Sequence, residues 1–112
     1  MEGRIPKSIK KKLADIVYQA HERALRKELT KLGDAFESWR RGDINSFDLE
    51  ELIHNYHNGA ARDIYKRFTY SPSELPMLAA FVIGSGLVKE DEVEAEVLPH
   101  LGNRLAFYRA ER

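Results

Sequence analysis

The chain has 112 residues, of which 43% are hydrophobic and 32% charged, with 18 basic and 18 acidic side chains. This length suits one domain with a modest core, so we expect a single domain over residues 1–112. Because the sequence has no cysteine, disulfides, thiolate metal sites and cysteine nucleophiles are excluded. No signal peptide and no apolar run long enough to span a bilayer are visible, which predicts a cytoplasmic protein with no membrane contact.

The first predicted element is one long helix over residues 7–41. At a rise of about 1.5 Å per residue it would be about 50 Å long. A compact chain of this length is only about 35 Å across. The helix must therefore break, protrude or be covered by another molecule, most simply a second copy. Gly33 is the weak point, but the apolar spacing passes through it in phase, so we expect a continuous helix.

Two apolar stripes run along this helix. The long stripe follows helical steps of three and four through Ala14, Tyr18, His21, Leu25, Leu29, Leu32, Phe36 and Trp39. The short stripe comprises Ile9, Leu13, Ile16, Ala20 and Ala24. At about 100° per residue the two lie on nearly opposite sides, so the helix must pack between two bodies. This predicts a homodimer, and we assign the interface to the short stripe at Ile9, Leu13, Ile16 and Ala20.

Two short helices are predicted after the turn at Gly42. Asn45 or Ser46 caps the second helix, whose apolar residues recur at positions i, i+3, i+4 and i+7. Asn58-Gly59 predicts a stop or kink, after which residues 60–70 continue as a third helix.

The fourth predicted helix, residues 74–83, is apolar on nearly all sides and is the expected centre of the core. Ser73 is its expected N-cap, because Pro76 then falls in the first turn, where no N–H is needed. A fifth helix begins after Lys89 and is kinked at Pro99. The predicted fold is an all-α bundle of about five helices.

Charge is unevenly distributed along the chain. Residues 1–41 carry 11 Lys/Arg and 6 Asp/Glu, whereas residues 42–112 carry 7 and 12. Nucleic-acid binding is one interpretation of the basic cluster formed by Lys7, Lys10, Lys11 and Lys12. Attraction to the acidic segment 90–96, within a chain or between two chains, is favoured, because zero net charge gives little long-range attraction to a polyanion.

The second helix carries the residues best suited to bind a metal. Glu50, His54 and His57 share one flank of the helix, and Glu51 and His54 have the Glu-x-x-His spacing of di-metal bundles. Two histidines and a carboxylate would suit zinc, iron or manganese. Such a bundle needs a second Glu-x-x-His, which the sequence lacks, and Glu50 with His54 also makes a favourable surface pair. We therefore expect no metal or other cofactor and keep these residues as an alternative site.

No motif for nucleophilic catalysis is present, since no serine lies in a Gly-x-Ser-x-Gly elbow. The sequence predicts a non-enzymatic helical interaction or regulatory protein that acts as a homodimer, with another protein as a further partner. Metal binding through the second helix and nucleic-acid binding through the basic N-terminus are the alternatives.

Overall fold

The computed structural model describes residues 5–110, and every regular element in this range is helical. The predicted all-α fold with a long N-terminal helix is therefore confirmed for the described residues. None of the described helices combines the length and the apolar character needed to cross a membrane. The five α-helices are Lys7–Arg40 (α1), Ser46–Tyr56 (α2), Arg62–Phe68 (α3), Leu75–Gly84 (α4) and Asn103–Ala110 (α5).

Helix α1 is uninterrupted over 34 residues and passes through Gly33. Ion pairs one helical turn apart support it on the N-terminal side of this glycine, between Arg26 and Glu22 at 2.7 Å and between Lys31 and Glu28 at 2.9 Å. The helix ends where Gly42 adopts a φ of +81°, a conformation that side chains with a Cβ rarely take. Of the three outcomes for the long helix, a break is excluded.

The chain forms two compact units that share α1. Unit 1 contains residues 5–21 and 70–110 of the described chain, and unit 2 is Glu22–Thr69. Unit 1 therefore holds the short stripe of α1 except Ala24, and unit 2 holds most of the long stripe.

Unit 1 is built around α4, as predicted. This helix buries six residues, Leu75, Ala79, Ala80, Val82, Ile83 and Gly84. Helix α5 packs against it most closely at Gly84, where an added Cβ would lie 2.4 Å from Cβ of Tyr108. The Phe81 and Tyr108 rings meet edge to face with centroids 5.5 Å apart. Only glycine allows the two helices to approach this closely.

The prediction of one kinked helix after Lys89 is wrong. The segment forms two 3₁₀ turns, Glu90–Glu92 and Ala95–His100, and α5 starts only at Asn103. Pro99 has no N–H to donate, and Gly102 adopts a φ of +51° that an α-helix does not contain. The apolar side chains of this segment still contribute to the core, since Val97, Leu101 and Leu105 are buried.

The N-cap of the α4 segment is Ser71, two residues before the predicted Ser73. The Ser71 hydroxyl donates to Glu74 Oε1 at 2.8 Å, and its backbone N–H donates to the same oxygen at 3.1 Å. Both hydrogen bonds hold the pKa of Glu74 below its ordinary value of 4.5, and the one from the Ser71 hydroxyl has the larger effect. A 3₁₀ turn at Pro72–Glu74 precedes α4, so helical winding begins earlier than the proline position suggested.

Unit 2 is a helical hairpin. Trp39 Nε1 donates to Ser46 Oγ at 3.0 Å, which joins the end of α1 to the start of α2. The predicted cap at Asn45 is confirmed, since its Oδ1 accepts the Asp48 N–H at 2.8 Å. The predicted stop or kink at Asn58-Gly59 coincides with a π-helical turn over His57–Ala61, and the chain continues directly into α3.

Candidate interaction surface

The residues assigned to a partner interface are part of the unit 1 core. Ile9, Leu13, Ile16 and Ala20 are between 0% and 8% exposed within the single chain. Their packing within the single chain leaves little of these four side chains accessible to a second molecule. The substitution Leu13→Asp would therefore destabilise the core of unit 1, and its effect would not report on the association of two chains.

The long stripe is the more accessible side of α1. Tyr18, Leu29 and Trp39 are exposed, with 48% of the Leu29 side chain open to solvent. Leu25, Leu32 and Phe36 are half-buried. The two apolar stripes predicted from the sequence therefore differ in exposure: the short stripe is largely buried within the chain, and the long stripe is partly open to solvent.

Buried apolar side chains are very unequally shared between the two units. Among residues 5–110, unit 1 contains 14 of the 16 buried apolar residues, and unit 2, all of whose residues are described, contains only Leu49 and Phe68. Exposed large apolar residues show the opposite distribution. Of the nine found in the same range, six belong to unit 2, namely Leu29, Trp39, Phe47, Leu52, Ile53 and Tyr65. Unit 2 therefore buries few apolar side chains and exposes several large ones.

An open groove of about 290 Å³ lies between α1 and α2 in unit 2. Leu32 and Ala35 of α1 line it together with Leu52 and Tyr56 of α2. At its α1 side, Glu28 and Lys31 neutralise each other in an ion pair. The groove is therefore predominantly apolar with locally balanced charge, a chemistry that suits an apolar side chain of a protein partner.

The surface residues of α2 were not identified from the sequence. Leu49, Leu52, Ile53 and Tyr56 have the spacing of a core-facing stripe, yet only Leu49 is buried. Phe47 lies outside this stripe and is 82% exposed. The sequence feature that could have identified Phe47 as exposed is its position, one residue after the start of α2 and away from the apolar stripe of that helix.

The basic cluster is partly neutralised within the chain. Lys12 forms ion pairs with Glu94 and Glu96, which confirms attraction to the acidic 90–96 segment inside unit 1. Lys7, Lys10 and Lys11 are exposed in the first turns of α1. Arg109 pairs in the same way with Glu90.

The candidate metal residues lie on the surface of unit 2. Nε2 of His54 is 3.6 Å from Oε1 of Glu50, and both side chains are more than half exposed. His57 is also exposed, at the start of the π-helical turn. Among residues 5–110, no group of three or more His, Asp or Glu side chains is arranged to hold a metal ion. The arrangement matches the surface pair expected for Glu50 and His54.

The candidate interaction surfaces are thus the exposed apolar side chains and the groove of unit 2, together with the lysines at the start of α1. No protein-family model, curated protein or solved structure matches the chain.

Proposed function

We propose that the protein is a small helical interaction protein that acts as a homodimer, with unit 2 as its contact surface. The supporting observation is that unit 2 exposes six large apolar side chains and buries only two apolar residues. A helix buries its apolar stripe against another element, and a two-helix hairpin offers each helix only one neighbour. A second hairpin would supply the missing neighbours, as in a four-helix bundle.

The charges of unit 2 favour a second copy as the partner. Glu22–Thr69 contains nine Lys/Arg and nine Asp/Glu residues. Two copies therefore meet without net repulsion, whereas a polyanion would gain no net attraction from this surface. The contact between the two copies would be stabilised by the burial of apolar surface, which contributes about 25 cal/mol for each Å² removed from water.

The proposal is tested by placing a charge on the exposed surface of unit 2. Leu29→Glu puts a carboxylate where an apolar contact is expected, and Gln19→Glu, at a solvent-exposed position of α1 in unit 1, is the matched control. Light scattering coupled to size-exclusion chromatography measures the mass of each. We expect wild type and Gln19→Glu at twice the chain mass of 12.9 kDa, and Leu29→Glu at 12.9 kDa.

Because both positions are exposed, both variants should retain the helical circular dichroism of wild type. A wild-type mass of 12.9 kDa throughout the accessible concentration range would contradict the proposal, as would a Leu29→Glu variant that stays dimeric.

A further inference from the structure

We infer that the second copy pairs with α1 in an antiparallel, two-fold arrangement centred between Thr30 and Lys31. This inference rests on the proposed homodimer and specifies its geometry. It follows from three properties of the α1 segment in unit 2, namely the symmetry of its apolar spacing, the distribution of its charges and the exposure of its central leucine.

The apolar spacing of this segment reads the same in both directions. Leu25, Leu29, Leu32 and Phe36 follow steps of four, three and four residues. A helix turned end to end therefore presents apolar side chains at the same levels. In a two-fold contact the same patch is used twice, so Leu29 meets the partner's Leu32, and Leu25 meets the partner's Phe36.

Charge distinguishes the antiparallel from the parallel arrangement. Residues 22–30 carry three basic and two acidic side chains, and residues 31–40, up to the end of α1, carry two of each. An antiparallel pair places the positive half of each helix beside the neutral half of the other, whereas a parallel pair places the two positive halves together. The helix dipoles also oppose each other in an antiparallel pair, which is the favourable orientation.

Among the apolar side chains of this stripe in unit 2, one of the two nearest the proposed two-fold axis is the most exposed to solvent. Leu29, next to the centre of the segment, is 48% exposed, while Leu25, Leu32 and Phe36 are half-buried. Of the four side chains in this pattern, Leu29 is therefore the most exposed. A hairpin from each copy would then contribute two helices to a four-helix arrangement.

The absence of cysteine allows a direct test with single spin labels. Nitroxides are attached to Arg23→Cys, Thr30→Cys and Glu37→Cys, three exposed positions on α1. Pulsed electron paramagnetic resonance then measures the distance between the two labels of each dimer. Because Arg23 and Glu37 lie far from the proposed centre, their two copies are offset by about 20 Å along the helix axis, but the Thr30 copies by only about 2 Å.

We expect the shortest distance at Thr30 and clearly longer distances at Arg23 and Glu37. Equal distances at all three positions in a dimer would overturn the antiparallel inference and leave the homodimer intact. A dimer whose shortest distance lies at Arg23 or Glu37 would also overturn it. The absence of any intermolecular distance, together with a monomeric mass, would refute the homodimer itself.

Discussion

At the scale of single residues, two glycines of the helices have opposite surroundings. Gly84 ends α4 against α5, and an added Cβ would also lie 3.0 Å from the carbonyl carbon of Tyr108. That atom belongs to the backbone and cannot be displaced without moving α5. Gly33, inside α1, has nothing within 4 Å of an added Cβ. The same substitution should therefore have opposite effects at the two positions.

We expect Gly84→Ala to lower the free energy of unfolding by about 1–3 kcal/mol, because the extra methyl group overpacks the α4–α5 contact. Gly33→Ala is the matched control and should raise it by about 0.5–1 kcal/mol, because alanine loses less backbone entropy in a helix. Chemical denaturation followed by circular dichroism measures both. A Gly84→Ala variant as stable as wild type would contradict the close packing of α4 and α5.

At the scale of elements, the start of α2 was predicted from a local capping signal, whereas the N-cap of the α4 segment and the start of α5 were not predicted correctly. Asn45 caps α2 as expected, because an Asx residue three positions before an acidic residue is a local signal. The same local pairing joins Ser71 to Glu74, but the nearby Pro76 favoured Ser73 in the sequence. After Lys89 the apolar spacing suggested a helix, and the backbone limits of Pro99 and Gly102 prevented one.

The Ser71–Glu74 pair predicts a pH-dependent contribution to stability. Because its hydrogen bonds lower the pKa of Glu74 in the folded state, the carboxylate stabilises the fold above pH 4.5. This contribution is lost as the pH falls through the folded-state pKa. Glu74→Gln should therefore be less stable than wild type at neutral pH, and the difference should disappear in acid.

Urea unfolding of wild type and Glu74→Gln across this pH range measures the difference. Glu51→Gln, which removes an exposed carboxylate of α2, is the control and should change stability little at any pH. A Glu74→Gln effect that persists unchanged in acid would show that the carboxylate charge does not stabilise the start of α4.

At the scale of the whole molecule, the two units differ in how much apolar surface they bury. Among the described residues, 14 buried apolar residues of unit 1 form a core around α4, whereas unit 2 buries Leu49 and Phe68. Under the proposed function, the exposed apolar side chains of unit 2 are covered by a second copy of the chain.

A dimer formed through unit 2 predicts that thermal stability depends on protein concentration. Mass action stabilises the bound state by about 2.7 kcal/mol when the concentration is about a hundredfold above Kd. The melting temperature of wild type should therefore rise as the protein is concentrated, whereas that of Leu29→Glu should stay constant. Differential scanning calorimetry measures both, and a concentration-independent wild-type melting temperature would count against the dimer.

The sequence by itself determined the helical class, the continuity of α1 through Gly33 and the existence of two apolar stripes on that helix. These are local properties, set by the period of the side chains and by capping residues. Only the tertiary structure decided which stripe is covered. Ile9 and Leu13 lie in the part of α1 that belongs to unit 1, where the segment around Val97 returns beside the helix. Leu29, in contrast, lies in unit 2 and is exposed. Periodicity does not reveal what packs against a stripe.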